Sequence, residues 1–198
     1  RVDLVTHLSA YSIAAATILG CFVRGESVEN SLAMARINME NSRLDSALPY
    51  EELKEISDIC NKYQMPLYID GARLAYGLAA ENGNVTLNDI AALADVFYIG
   101  GTKVGTLFGE AVVITNPTLL KNFFPLIKQH GALLAKGRLL GVQFQALFED
   151  NLYEEIGLQV VNKAIRIREI FKSKGYKITA DSPTNQQFIC LPNHIIDQ

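Results

Sequence analysis

The sequence predicts an α/β fold, in which buried strands alternate with helices, followed by the start of a smaller α+β unit. Short apolar runs of strand length alternate with segments of helical periodicity, which is the pattern of an α/β domain with a mostly parallel sheet. After about residue 150 this pattern changes to one long helix and a pair of strands, which indicates the second unit. With 198 residues, of which 49% are hydrophobic and 20% charged, the chain is long enough to bury a sizeable core.

Local signals place the individual elements. Pro49 precedes acidic residues and apolar residues at helical spacing, so a helix is expected at 49–63. Thr86 is the expected N-cap of a later helix, because Asp89 follows three residues on, as in a capping box. Gly175 is a residue type favoured just past a helix end. In chain order, the sequence predicts a helix at 49–63, a strand at 67–69, helices at 72–80 and 87–94, strands at 96–99 and 110–115, helical segments at 119–127, 132–149 and 153–174, and strands at 176–179 and 187–191.

Charge and hydropathy disfavour two classes of partner. The formal net charge of −3 leaves no excess of Lys and Arg to neutralise phosphates, which argues against nucleic-acid binding. The apolar run 13–23 has 11 residues, fewer than the about 20 that cross a bilayer. Its flanks also differ from those of a signal peptide, so we interpret it as a buried helix and expect no membrane partner. The chain begins with Arg1 rather than Met, which predicts that the native N-terminus lies upstream.

Cysteine and histidine usage indicates a cytoplasmic protein without a metal centre. The cysteines lack CxxC spacing and are expected as free thiols in a reducing compartment. The histidines are far apart in the sequence and have no metal-ligand spacing. These residues are Cys21, Cys60 and Cys190, and His7, His130 and His194.

Two of the predicted strands end in residues that carry chemistry. The strand at 67–69 is followed by Asp70, Gly71, Ala72 and Arg73, and the strand at 96–99 by Gly100, Gly101, Thr102 and Lys103. Ligands of open α/β sheets bind beyond the carboxyl ends of strands, so a carboxylate, a guanidinium and an amine could meet in one crevice. A structural ion pair between the acid and the lysine explains the same residues equally well. A nucleotide site is disfavoured, since neither GxGxxG nor GxxxxGK[ST] occurs.

The same residues carry a resemblance to a known family. LYIDGARL at 67–74, DVFYIGGTKVG at 95–105 and HGALLAKGRLLGVQF at 130–144 closely resemble the low-specificity threonine aldolases and related β-eliminating lyases. DSPTNQQFICLP at 181–192 is similar to the family's entry into its small domain. The resemblance runs from about 37 to 198. It implies a pyridoxal-phosphate (PLP) enzyme of the aspartate-aminotransferase-like fold, with a three-layer large domain.

The resemblance also implies a role for each residue at the strand ends. Lys103 would form a Schiff base with PLP, as a lysine of depressed pKa can. Asp70 would accept a hydrogen bond from the pyridinium nitrogen, which lets the ring absorb electrons. Arg73 would bind the substrate α-carboxylate through two parallel hydrogen bonds. Ala72 would lie against one face of the ring, and Thr102 would hydrogen-bond the cofactor phosphate.

Structural explanations stay open for these residues. Lys103 could be a surface lysine after a glycine turn, Asp70 a helix N-cap and Arg73 a partner in an ion pair. For Thr102 a local capping role is equally well supported. Other polar residues are better explained by structure: helix or subunit packing for His130, Lys136 and Arg138, the surface for His194 near the end of the chain, and a turn for Asn185.

The implied reaction is retro-aldol cleavage of a β-hydroxy-α-amino acid, such as threonine to glycine and acetaldehyde, in a homodimer or homotetramer. β-Elimination or transamination on the same fold is a second hypothesis, and an inactive, truncated paralogue that acts as a binding partner is a third. The domain division expected is 1–36 unassigned, 37–150 a partial PLP-binding large domain and 151–198 the start of the small domain. Residues 1–36 do not match the family, and His7 is better explained as a strand-end histidine than as the ring that stacks on PLP. Residues 43–46 also depart from the family pattern.

Overall fold

A computed structural model describes residues 49–81 and 83–196 of the chain. Its main sheet contains β1 (Tyr68–Ile69), β2 (Val96–Gly100) and β3 (Glu110–Ile114), in that spatial order. β1 pairs in parallel with β2, and β2 pairs antiparallel with β3. The connection 101–109 is too short for the crossover that a parallel pairing of β2 and β3 would require. The described part of the sheet is therefore mixed.

Helices pack against this sheet, and a second, smaller sheet follows it in the chain. Strands β4 (Lys177–Ala180) and β5 (Phe188–Cys190) form an antiparallel pair. Short 3-10 turns occur at Pro117–Leu120 and Glu149–Asn151. The α-helices of the described residues are α1 (Tyr50–Lys62), α2 (Leu74–Leu78), α3 (Leu87–Leu93), α4 (Phe123–Gln129), α5 (Arg138–Phe148), α6 (Leu152–Ser173) and α7 (Asn193–Ile196).

Local sequence signals are confirmed where they concern single elements. Pro49 is the N-cap of α1. The capping box at α3 is present: the Asp89 N–H donates to the Thr86 hydroxyl oxygen at 3.2 Å, and the Thr86 N–H donates to the Asp89 carboxylate at 2.8 Å. Gly175 follows the C-terminal cap of α6 with φ +82°. The predicted helix at 72–80 is shorter than expected, since α2 spans only Leu74–Leu78.

The prediction of a helix at 132–149 is wrong in its first turns. α4 ends at Gln129 and α5 begins at Arg138, so residues 132–137 are not helical. Gly131 lies between the two helices with φ +72°, a conformation incompatible with a continuing right-handed helix. Apolar residues continue through 132–137, so the sequence pattern does not reveal that this stretch precedes the helix.

The hydrophobic core lies between the main sheet and the helices. β2 is the most deeply buried strand of the main sheet, since Phe97, Tyr98 and Ile99 are all buried. Cys60 is buried in this core, and burial, followed by the charge of Asp95, raises the pKa of its thiol. Cys60 and Cys190 are both free, as predicted. The principal core residues are Leu53, Cys60, Leu67, Leu74, Ala75, Tyr76, Ile90, Ala94, Phe97, Ile99, Val104, Leu147, Tyr153 and Val161.

A buried arginine joins the C-terminal elements to the rest of the fold. α6 contacts both α2 and β4, and Arg168 on α6 is only 6% exposed. Its guanidinium donates to the Ser182 carbonyl at 2.8 Å and to the Glu81 carboxylate at 3.1 Å. It also lies 3.2 Å from the Asp181 carboxylate. The buried charge is thus fully paired, which is the condition for its burial. The predicted domain division at residue 150 stays a prediction.

Several sequence-based predictions concern residues outside the described ranges. They are the buried helix at 13–23, His7, Cys21 and the departure at 43–46. Among the helices that the structure describes, none is long and apolar enough to cross a membrane.

Candidate active site

The two predicted clusters of functional residues meet at one edge of the main sheet. Asp70 directly follows β1, and Gly100 ends the parallel neighbour β2. The Gly100 N–H donates to the Gly71 carbonyl at 2.9 Å. A Cβ on Gly71 would lie 1.6 Å from the Tyr98 carbonyl oxygen, and one on Gly100 would lie 2.5 Å from the Ala72 carbonyl oxygen. Only glycine permits such a close approach of two backbones, so the turns after β1 and β2 are in direct contact.

Asp70 is an oriented carboxylate at this edge. Its Oδ1 accepts hydrogen bonds from the Ala72 N–H at 3.0 Å and from the Tyr98 hydroxyl. Its Oδ2 has no donor among the described residues. The N-cap of α2 is Arg73 rather than Asp70, so the geometry does not support the helix-cap explanation of this acid. Asp70 instead closes a short side-chain turn onto Ala72.

Lys103 lies in a turn that is fixed through its backbone. The Tyr76 hydroxyl donates to the Lys103 carbonyl. The next residue, Val104, is 1% exposed and belongs to the core. The Lys103 side chain is exposed and makes no ion pair within the described ranges. The structural ion pair between Lys103 and Asp70 is therefore not formed.

Glu110 organises the turn that leads to Lys103. Its carboxylate accepts from the Gly101 N–H at 2.5 Å and from the Thr102 hydroxyl at 3.1 Å. Glu110 can do this because it pairs with Gly100 across β2 and β3. Thr102 thus donates its hydroxyl proton to the Glu110 side chain and caps no described helix, and its contact with a cofactor phosphate stays a prediction.

Arg73 and Ala72 follow Asp70 on the surface of the same edge. Arg73 is exposed, and its guanidinium makes no ion pair among the described residues. The ion-pair explanation of this arginine thus has no support within the described ranges. Ala72 is half-buried, and its N–H donates the backbone hydrogen bond that Asp70 accepts.

Tyr153 links the start of α2 to the end of β2 through its hydroxyl group. Its side chain is completely buried, and its hydroxyl accepts from the Ala75 N–H at 3.1 Å and donates to the Gly100 carbonyl at 3.3 Å. Burial raises the pKa of Tyr153, so the hydroxyl keeps its proton. Tyr98, Glu110 and Tyr153 were not identified from the sequence. Tyr98 and Tyr153 have the pattern of core aromatics, and Glu110 has that of a solvated strand start.

The other polar residues of the motifs are not gathered at this edge by any contact that the structure describes. His130 is exposed at the C-terminal cap of α4, Lys136 and Arg138 are exposed around the start of α5, and His194 is exposed in α7. Asn185 is half-buried in the turn between β4 and β5. In the described part of the chain, no group of three or more His, Cys, Asp or Glu residues could hold a metal ion.

Comparisons with known proteins agree with the motifs. The chain is 35% identical over 103 residues to the low specificity L-threonine aldolase of Pseudomonas sp., which is 52% of this chain and 30% of that protein. It is 27% identical over 156 residues to the alanine racemase TOXG of Cochliobolus carbonum, covering 75% of this chain and 39% of that protein. The chain therefore spans less than half the length of these curated relatives.

A solved structure supports the fold. The threonine aldolase of Leishmania major superimposes with a TM-score of 0.73 and 43% sequence identity, over 76% of this chain and 44% of that one. The predicted α/β fold of the aminotransferase type is thereby confirmed. The model of the family described as "Beta-eliminating lyase" matches residues 34–188, most of the chain. The chain belongs to this beta-eliminating lyase family, which is PLP-dependent and includes the threonine aldolases.

Proposed function

We propose that the protein is a PLP-dependent carbon–carbon lyase that cleaves β-hydroxy-α-amino acids such as threonine. The observation that carries the proposal is the arrangement at the ends of β1 and β2. Within the described ranges, Oδ2 of Asp70 has no hydrogen-bond donor, and Lys103 and Arg73 make no ion pair. The similarity to threonine aldolases supports the choice of reaction.

The residues at this edge suit PLP in chemical type. The cofactor needs an amine for its aldehyde, an acceptor for its ring nitrogen and space beside its ring. Lys103 would supply the amine, and Asp70 would accept from the ring nitrogen through Oδ2. Ala72, with its small side chain, would leave room for the ring. It lies beside Gly71 and Gly100, where the neighbouring backbone leaves no space for a Cβ. Bound PLP would supply an electron sink for a bond at the substrate α-carbon.

The chain's own groups would then bind and orient the amino acid. Arg73 would bind the α-carboxylate through two parallel hydrogen bonds, since a guanidinium matches the geometry of a carboxylate. In the proposed reaction the β-hydroxyl loses its proton and the bond between Cα and Cβ breaks, with its electron pair left on Cα. Cα then gains a proton, so that threonine gives glycine and acetaldehyde. Glu110 and Tyr76 would keep Lys103 in place by fixing the backbone of its turn.

A second candidate function is racemisation of a small amino acid such as alanine. The similarity to the alanine racemase TOXG favours it. The same three side chains would serve, because racemisation breaks the bond between Cα and hydrogen in place of the bond between Cα and Cβ. The bond held perpendicular to the cofactor ring decides between the reactions.

Product analysis with three substrates tests the proposal. We expect the protein with PLP to release acetaldehyde from threonine and no pyruvate from serine. Pyruvate from serine would favour β-elimination, and loss of optical activity in L-alanine would favour the racemase.

An Arg73→Lys variant is expected to raise KM for threonine by about tenfold or more, because lysine cannot form the two parallel hydrogen bonds. An unchanged KM would contradict the role of Arg73.

We further propose a cytoplasmic homodimer or homotetramer. Apolar side chains at the start of α5 and before it are exposed, among them Leu134 at 54% and Leu139 at 56%, which fits a packed subunit contact better than a solvated surface. The free thiols of Cys60 and Cys190 fit a reducing compartment. Analytical ultracentrifugation that finds a monomer at every concentration would contradict the oligomer.

A further inference from the structure

We infer that Tyr98 is a positioning residue for the cofactor: its hydroxyl fixes one oxygen of Asp70 so that the other faces the ring nitrogen of PLP. The inference rests on the proposed function, because it concerns how Asp70 meets the cofactor. It adds a residue that touches neither substrate nor cofactor but sets the orientation of one that does.

Sheet geometry places the two side chains together. Tyr68 pairs with Val96 and Ile69 with Phe97 in the parallel register of β1 and β2, so Asp70 continues the register beside Tyr98. Side chains two residues apart lie on the same face of a strand. Tyr68, Asp70 and Tyr98 therefore share one face at the carboxyl end of the sheet. The rings of the two tyrosines lie 6.4 Å apart between centroids.

Both donors to Asp70 use the same oxygen. Oδ1 accepts from the Ala72 N–H at 3.0 Å and from the Tyr98 hydroxyl, whereas Oδ2 has no donor in the described ranges. A carboxylate held by a backbone N–H alone can rotate about its χ2 bond, since that torsion is soft. The second donor comes from a side chain that is only 4% exposed, and it removes this freedom.

The Tyr98 hydroxyl is a constant donor. Burial, followed by the hydrogen bond to Asp70, raises the pKa of Tyr98. The phenol therefore keeps its proton at any pH at which an enzyme of this kind would work. The hydrogen bond that Tyr98 donates to Asp70 is therefore not lost through ionisation of the phenol.

Tyr68 provides a matched control on the same face. Its hydroxyl is buried and has no hydrogen-bond partner among the described residues, so it donates no hydrogen bond to Asp70. Tyr68→Phe removes a buried hydroxyl from a neighbouring ring, as Tyr98→Phe does, but leaves both donors to Asp70 in place. Any effect of lost hydroxyl packing would appear in both variants, while an effect on Asp70 would appear only in Tyr98→Phe.

The first experiment requires no cofactor. The carbon NMR signal of the Asp70 carboxyl group is recorded in the wild-type chain, in Tyr98→Phe and in Tyr68→Phe. We expect the signal to move in Tyr98→Phe and to stay in place in Tyr68→Phe, because only the former loses a donor to that carboxylate. An unmoved signal in Tyr98→Phe, or an equal movement in both variants, would overturn the inference.

The second experiment uses PLP labelled with 15N in its ring, whose chemical shift reports protonation. We expect Tyr98→Phe to bind PLP about tenfold more weakly, the order expected for a weakened hydrogen bond to a charged group. The ring nitrogen should also lose its proton about one pH unit lower, which is the same tenfold factor. Tyr68→Phe should match the wild type in both measurements, and equal behaviour of the two variants would overturn the inference.

The two experiments separate this inference from the proposed function. If the wild-type chain bound no PLP, the proposed function and the cofactor role of Tyr98 would both fall, even if the carboxyl signal showed the Tyr98–Asp70 contact. If the wild type bound PLP and Tyr98→Phe behaved identically, the positioning role alone would fall.

Discussion

Replacing Lys103 with alanine is expected to remove the visible absorption band that the protein forms with PLP and to lower threonine cleavage by at least about a thousandfold. The reason is the position of the side chain. Lys103 lies in the turn after β2, close in the chain to the point where this turn contacts the one after β1. It makes no ion pair in the described ranges. Its removal takes away the amine that would attach the cofactor while the turn itself stays in place through Tyr76, Glu110 and Val104.

Lys163→Ala is the matched control for this variant. Lys163 is also exposed, lies on α6 and takes part in no ion pair that the structure describes, so its loss should leave the band and the rate unchanged. Absorption spectra before and after dialysis, together with acetaldehyde release, provide the measurement. A Lys103→Ala protein that keeps the band would mean that another lysine holds PLP. A folded wild-type chain without any band would favour the hypothesis of an inactive binding partner.

The position of Asp70 and Lys103 beyond two neighbouring strand ends could be predicted from the sequence because that signal is local, whereas their roles toward a cofactor stay predictions. Asp70 and Lys103 each follow an apolar run, and glycine accompanies each of them in the turn that ends the strand. The ends of neighbouring parallel strands meet at one edge of a sheet. The α/β fold was predictable for the same reason, since alternation of short apolar runs and helical periods survives in a single sequence.

The supporting residues could not be predicted, because their roles depend on contacts between distant segments. Tyr153 lies 78 residues from Ala75 in the chain, and the two meet only when α6 packs on α2. Glu110 reaches Gly101 because β3 returns antiparallel to β2, whereas the sequence pattern predicted a mostly parallel sheet. Tyr98 has the pattern of an ordinary core aromatic until the register of β1 and β2 places Asp70 beside it.

Gly71→Ala is expected to lower the free energy of unfolding by more than about 3 kcal/mol, because overpacking against a fixed backbone is costly. The added Cβ would lie 1.6 Å from the Tyr98 carbonyl oxygen and 2.9 Å from its carbonyl carbon. Both atoms are backbone atoms of the central strand β2. They cannot move aside as the end of a flexible side chain could. The turn after β1 would have to separate from β2 and break the hydrogen bond from the Gly100 N–H to the Gly71 carbonyl.

Gly77→Ala provides the opposite expectation six residues further along. Gly77 lies within α2, and a Cβ there would meet nothing within 4 Å, so alanine should stabilise the protein by about 0.5–1 kcal/mol through its higher helix propensity. Urea unfolding followed by circular dichroism measures both variants, and similar free energies for the two would contradict the close approach at Gly71.

If Gly71→Ala is destabilised as expected but still folds, its PLP affinity should also fall, because separating the two turns moves Asp70 away from Tyr98 and from the turn that carries Lys103. The stability of this edge and the assembly of the cofactor site would then share one cause, the contact between two backbones that only glycine allows.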